Sequence, residues 1–105
     1  MSKFYNITGS TGVTVELISP IETNVGIKSV LLTNIHNTAV ATVSLFIQND
    51  PTSGITSTYE LINKIKIPTG ASLLLDESSM FLFDEEFGLY ITVGGSDTVD
   101  AIINQ

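Results

Sequence analysis

"AVATVSLFIQN", residues 39–49, is the stretch that decides the fold. Ala41, Val43, Leu45 and Ile47 fall on one parity, and Thr42, Ser44 and Gln48 on the other. Successive side chains leave a pleated backbone on opposite sides, so a period of two predicts a strand with one dry face and one wet face. A helix would repeat its apolar residues at three-and-four spacing, and no long segment of the chain does so. The Val, Ile and Thr content favours extended backbone as well.

The same period runs outward on both sides. "VTVELIS" (13–19) puts Val13, Val15 and Leu17 on one face. "GIKSVLLTNIHN" (26–37) is apolar on both faces through Val30, Leu31 and Leu32, as a central strand would be. "STYELINKIKI" (57–67) sends Tyr59, Leu61, Ile65 and Ile67 inward and Glu60, Lys64 and Lys66 outward. "ASLLLDE" (71–77) sends in Ala71, Leu73 and Leu75. "GLYITVG" (88–94) sends in Leu89, Ile91 and Val93, and "TVDAIIN" (98–104) sends in Val99, Ala101 and Ile103. With a short first strand near "KFYNI" (3–7), the chain reads as about eight strands.

Turn chemistry separates these runs. "GSTG" (9–12), "SP" (19–20) and the polar "NDPTSG" (49–54) punctuate the chain. "HNT" (36–38) is short enough for a hairpin, and in "GGSD" (94–97) Gly94 or Gly95 is expected at the positive φ of a tight one. In "KIKIPTGASLLLDESSMF" (64–81), Pro68 cannot donate to a ladder and Gly70 accepts a left-handed backbone, so the chain turns at "IPTG" and returns through Leu73 and Leu75. Many strands without helices predict an all-β fold, two packed sheets or a closed barrel, and of these an antiparallel β-sandwich of about eight strands and jelly-roll type is preferred. The link across "DPTSGITS" is expected to cross between the two sheets.

A chain of 105 residues makes one domain, spanning 1–105, and it is 43% hydrophobic against 14% charged, which fits a packed core rather than disorder. It has no cysteine, which excludes disulfides, thiolate catalysis and Cys-built zinc sites. No stretch reaches the ~18 apolar residues of a membrane-spanning helix. The start, "MSKFYNITGS", has no apolar run of a secretory signal, so the glycosylation pattern at Asn6–Thr8 reads as chance. Residues 1–49 balance Lys3 and Lys28 against Glu16 and Glu22, whereas residues 50–105 set Lys64 and Lys66 against nine acids. With a net charge of −7 and no arginine, neither nucleic acid nor an anionic membrane is an expected partner.

Chemistry-bearing constellations are missing from the pattern, and no enzyme and no cofactor are expected. His36 is the single histidine; no acid stands near it, so it reads as a polar hairpin residue. Asp76, Glu77, Asp84, Glu85 and Glu86 could offer oxygen ligands to Ca²⁺, but they lack a metal-loop pattern and read as solvated turns; no metal is expected. "GSTG" lacks the lysine of a phosphate loop. The informative residues are apolar ones on the outward parity: Phe46, Ile62, Leu74, Tyr90 and Ile102, with Ile18 beside them. One such residue is ordinary, but one on nearly every strand predicts a surface that meets a partner. The alternative is that loops cover these residues, or that a register is shifted by one.

"SVLLTNIHNTAVATVSLFIQN", "LINKIKIPTGASLLLDES" and the closing "TVDAIINQ" resemble a group of small virion proteins of tailed bacteriophages. The matching positions are Thr33 and Asn34, then Ala41, Val43 and Leu45, then Ile67, Pro68 and Gly70, and last Val99, Asp100 and Ile102. The resemblance covers about residues 26–104, and the first 25 residues match less well. "SSMFLFDEEFG" departs from the group's usual Gly-Asp turn, and its Met80, Phe81, Phe83 and Phe87 form an aromatic cluster that is core or contact. The resemblance implies a non-enzymatic capsid decoration (cement) protein, or else a neck or tail accessory, located in the virion and made in the host cytoplasm. It implies the major capsid protein or other virion proteins as partners, and a homo-oligomer, with a trimer among the states. A carbohydrate-binding module, which favours the same sandwich, is the reading from another class.

Overall fold

The computed structural model describes residues 2–8, 14–20, 26–36, 38–49, 56–77, 81, 86–94 and 98–105. Eight strands run through them: β1 (Ser2–Thr8), β2 (Thr14–Ile18), β3 (Ser29–Asn34), β4 (Ala41–Asn49), β5 (Thr58–Ile67), β6 (Ser72–Leu75), β7 (Phe87–Val93) and β8 (Thr98–Asn104). Their pairing is nested and antiparallel: β1 with β8, β2 with β7, β3 with β6 and β4 with β5. The pairs β3–β8 and β4–β7 then join these ribbons into two four-stranded sheets, ordered β1-β8-β3-β6 and β2-β7-β4-β5. The fold is an all-β, antiparallel β-sandwich.

This order reverses several expectations about loops. The link after β4, expected to cross between sheets, joins two neighbours in the second sheet. Its mouth is closed by the Asn49 amide on the Ser57 carbonyl (3.1 Å) and the Ser57 amide on Asn49 Oδ1 (2.6 Å). The short links at 36–38 and 94–97, expected as hairpins, instead carry the chain from one sheet to the other. A few residues suffice, since four extended residues reach ~13 Å and packed sheets lie ~10 Å apart. Gly94 accordingly is not among the positive-φ glycines of the described residues, and Gly95 lies outside them. Gly70, at φ 74°, does take the left-handed backbone expected of it, but its corner too passes between sheets.

The inward parity builds the core. Ile7, Val30, Leu32, Val99, Ala101 and Ile103 from the first sheet meet Leu17, Ala41, Val43, Leu45, Ile47, Ile67, Leu89, Ile91 and Val93 from the second. Burying a side chain of this size contributes ~1.5–3 kcal/mol, so the facing rows supply the main drive for folding. Phe81 joins this core and Phe87 packs against it, while Met80 and Phe83 lie outside the described residues, as does Val13.

Two residues expected on the outward side belong to the core. Ile18 is 0% exposed. The β2 register moves from Glu16 opposite Tyr90 to Ile18 opposite Leu89, so Leu17 is an extra residue and the parity flips after it. Ile62 stands opposite Leu45 and packs against the core. Here β5 holds one extra residue between Ile62 and Ile65, around Lys64 at φ 55°, and another at Leu61. Two insertions cancel, which is why Ile65 and Ile67 keep the predicted side while Ile62 does not.

Candidate interaction surface

The outer face of the first sheet is built in rows that register fixes. Phe4 stands opposite Ile102, Ile102 opposite Leu31, and Leu31 opposite Leu74. One apolar side chain from each of the four strands thus lies in a single row across the sheet. Its ends are open: Phe4 is 72% and Leu74 54% exposed, with Ile102 and Leu31 half-buried between them. Adjacent side chains on one face of a sheet interact across the strands, so such a row is one continuous patch rather than four scattered contacts.

Polar rows flank it. On one side Asn6, Asp100, Thr33 and Ser72 line up, and their side chains satisfy each other: Asn6 Nδ2 donates to Asp100 Oδ1 (2.6 Å), and the Thr33 and Ser72 hydroxyls lie 2.8 Å apart. On the other side Asn104 stands opposite Ser29, and its Nδ2 donates to the Ser29 hydroxyl (2.9 Å). A shallow groove of 410 Å3 runs where β1 meets β8, lined by Phe4, Asn6, Asp100 and Ile102 among others.

The second sheet's outer face is closed on itself. Glu16, Tyr90, Phe46 and Glu60 form its row. The rings of Phe46 and Tyr90 stack at 5.9 Å with 16° between planes, and the Tyr90 hydroxyl donates to Glu16 Oε2 (3.1 Å). Phe46 is only 8% exposed although it stands outside the main core. Tyr90 lies over Gly88, where a Cβ would come within 3.1 Å of the ring and 2.8 Å of the Ile18 carbonyl oxygen.

The five apolar positions singled out by parity therefore separate into three groups. Leu74 and Ile102 share the row on the first sheet. Phe46 and Tyr90 cover each other on the second. Ile62 faces the core. Phe4 and Leu31 complete the open row and were not among the five. Leu31 has the outward parity in plain view, and its partnership with Phe4 rests on long-range register that local pattern does not carry.

His36 has a structural task. Its Nδ1 accepts the backbone amides of Thr38 and Ala39, both at 3.1 Å, and its carbonyl accepts the Thr69 hydroxyl. Beside it Asn34, fully buried, donates to the carbonyls of Ala39 (2.8 Å) and Ile67 (2.9 Å) and accepts the His36 amide (2.9 Å). Asp76, Glu77 and Glu86 are exposed, and Asp84 and Glu85 lie outside the described residues. Among the described residues no three His, Cys, Asp or Glu side chains come together as a metal group. No described helix is long and apolar enough to cross a membrane.

The three tyrosines make no shared platform. Tyr5 reaches the Leu17 carbonyl, Tyr59 meets Phe87 edge-on at 5.8 Å, and Tyr90 stacks on Phe46. Comparison with known proteins gives no identification: no family model matches the chain, and no curated protein or solved structure matches it.

Proposed function

We propose that this chain is a non-enzymatic structural protein of a tailed-bacteriophage particle, a capsid decoration subunit held through an apolar sheet face. The observation that carries the reading is the Phe4–Ile102–Leu31–Leu74 row, open at both ends on the first sheet. Exposed apolar surface that is continuous and rimmed by polar residues is the usual mark of a contact site. The nested strand pairing supports a jelly-roll reading of the sandwich. The residue resemblance over 26–104 supplies the phage context. Its Thr33–Asn34 and Ile67–Pro68–Gly70 motifs fall at the corner where Asn34 and Gly70 bond to each other, the Gly70 amide donating to the Asn34 carbonyl at 3.0 Å.

Particle binding by a Phe4→Lys/Leu74→Lys variant tests this. Both side chains are largely in solvent, so the fold should survive. Decoration of particles is expected to fall steeply while the thermal melt of the isolated protein stays put. Normal decoration by the variant would remove this face from the account. Where the chain's density sits on an intact particle separates the shell from a neck or tail position.

A second reading has one observation in its favour. The groove between β1 and β8 sets an exposed ring, Phe4, beside the Asn6–Asp100 amide–carboxylate pair, a combination able to stack on and hydrogen-bond a sugar. A glycan array, run with and without chelator, distinguishes this carbohydrate-binding module from the decoration subunit.

A further inference from the structure

We propose that β1 is an open sheet edge that pairs antiparallel with β1 of a second copy of this chain, joining two first sheets into one continuous sheet. The contact runs along the edge and goes beyond the functional reading, whose sheet face it leaves uncovered.

The four edge strands differ. β2 is five residues long and is broken by the bulge at Leu17. β5 carries extra residues and the left-handed Lys64. β6 has only four residues. Bulges and short length are devices that keep a sheet from adding a strand. β1 has neither: it is seven residues long, and its register with β8 runs from Ser2 to Thr8 without a shift.

The neighbouring strand fixes which way the β1 backbone points. The Ile35 amide donates to the Thr98 carbonyl (3.1 Å) and the Lys28 amide to the Asn104 carbonyl (2.7 Å), so the even-numbered residues of β8 turn their backbone toward β3. Val99, Ala101 and Ile103 therefore bond β1, through Ile7, Tyr5 and Lys3 opposite them. The amides and carbonyls of Ser2, Phe4, Asn6 and Thr8 point away from the sheet. No described residue bonds those of Phe4 and Asn6. Such a row is a template for another strand.

A second β1 fits it. In antiparallel pairing, outward groups must meet outward groups. A two-fold axis normal to the sheet at Tyr5 achieves this along the whole strand, with Phe4 opposite the second copy's Asn6 and Lys3 opposite its Ile7. Charge permits the approach. Lys3 is the one charged residue of β1, whereas β2 carries Glu16, β5 carries Glu60, and Asp76 and Glu77 follow β6. Asp100 of β8, engaged by Asn6, would stand roughly 16 Å from its counterpart, given strands ~4.8 Å apart. That is about twice the screening length at physiological salt. Two chains of net charge −7 can thus meet here without acids in contact.

About this axis both outer faces point the same way, so the two Phe4–Ile102–Leu31–Leu74 rows lie on one surface. A single strand pair buries little area, which puts the dimer in the weak class. Copies held on one particle would gain effective concentration and favour the pair.

Sedimentation equilibrium of the purified chain, from about 1 µM to about 1 mM, covers the range where weak pairs dissociate. The wild-type mass is expected to climb from 11.3 kDa toward twice that value. Asn6→Pro and Phe4→Pro each remove an outward amide, a change that an edge strand tolerates. Each should weaken association about 10-fold or more, since both copies lose a donor. Leu74→Lys, on the far edge of the sheet, should leave it unchanged. Melting curves establish which variants fold. Amide exchange in the wild type decides independently of them: the Phe4 and Asn6 amides should slow as concentration rises, while Tyr5 stays protected throughout. A wild type that stays monomeric overturns the inference, as does a trimer, a dimer weakened by Leu74→Lys, a dimer equally tight in a folded proline variant, or exchange at Phe4 and Asn6 that ignores concentration. The functional reading fails on a different result, normal particle decoration by Phe4→Lys/Leu74→Lys.

Discussion

The hydroxyl of Tyr5 in β1 donates to the backbone carbonyl of Leu17 in β2, so a single side chain ties one sheet to the other. Leu17 is the residue that the β2 bulge leaves without a cross-strand partner. At this irregular point of the ladder the tyrosine supplies a donor to the carbonyl. Backbone polar groups away from water need such a partner.

Tyr5→Phe keeps the ring and removes only that bond. It should lower stability by about 0.5–1.5 kcal/mol, the usual net worth of one intramolecular hydrogen bond. For a domain of this size the melting temperature should drop by roughly 2–10 °C. Thermal denaturation followed by circular dichroism reads this directly. An unchanged melt would mean that water replaces the hydroxyl without loss.

Asn34 offers a larger effect. Its side chain bonds three backbone groups, from residues 36, 39 and 67. Asn34→Ala should strand those groups and cost about 2–5 kcal/mol. Asn34→Asp keeps the shape but replaces the donor with a carboxylate facing two carbonyl oxygens, so it should be at least as damaging. Urea unfolding of the two variants beside wild type gives the comparison. Near-native stability of the aspartate variant would contradict the donor role assigned to Nδ2.

The residues that were legible, and those that were not, divide along one physical line. Leu45, Ile47, Leu89 and Ile103 were placed correctly because parity within an uninterrupted strand is a local property. Ile18 and Ile62 were misplaced because a bulge adds one residue and flips everything beyond it, and no residue type in "VELIS" or "LINKI" announces the insertion. Loops failed for another reason. Four residues are enough for a tight hairpin and also for a step between packed sheets, so the lengths at 36–38 and 94–97 carried no topological information. The open row was half visible: Leu74 and Ile102 stood out by parity, whereas Phe4 joined them only through pairing between the two ends of the chain.

Gly88 tests how tightly the second sheet's outer face is closed. A Cβ there would stand 2.8 Å from the Ile18 carbonyl oxygen, 3.0 Å from Pro20 Cδ and 3.1 Å from Tyr90 Cε1. The first of these is backbone held by the β2 bulge and cannot yield cheaply. The last is the ring that stacks on Phe46. Gly88→Ala should therefore cost about 1–3 kcal/mol through overpacking. Replacing Tyr90 with Ala in the same chain removes one of the two side-chain obstacles. The double variant should then lose less than the sum of the single losses, because both act on the same space. Chemical denaturation of the two single variants and the double gives the coupling. Strict additivity would show that the ring takes no part in the strain, leaving the Ile18 carbonyl and Pro20 as its whole source.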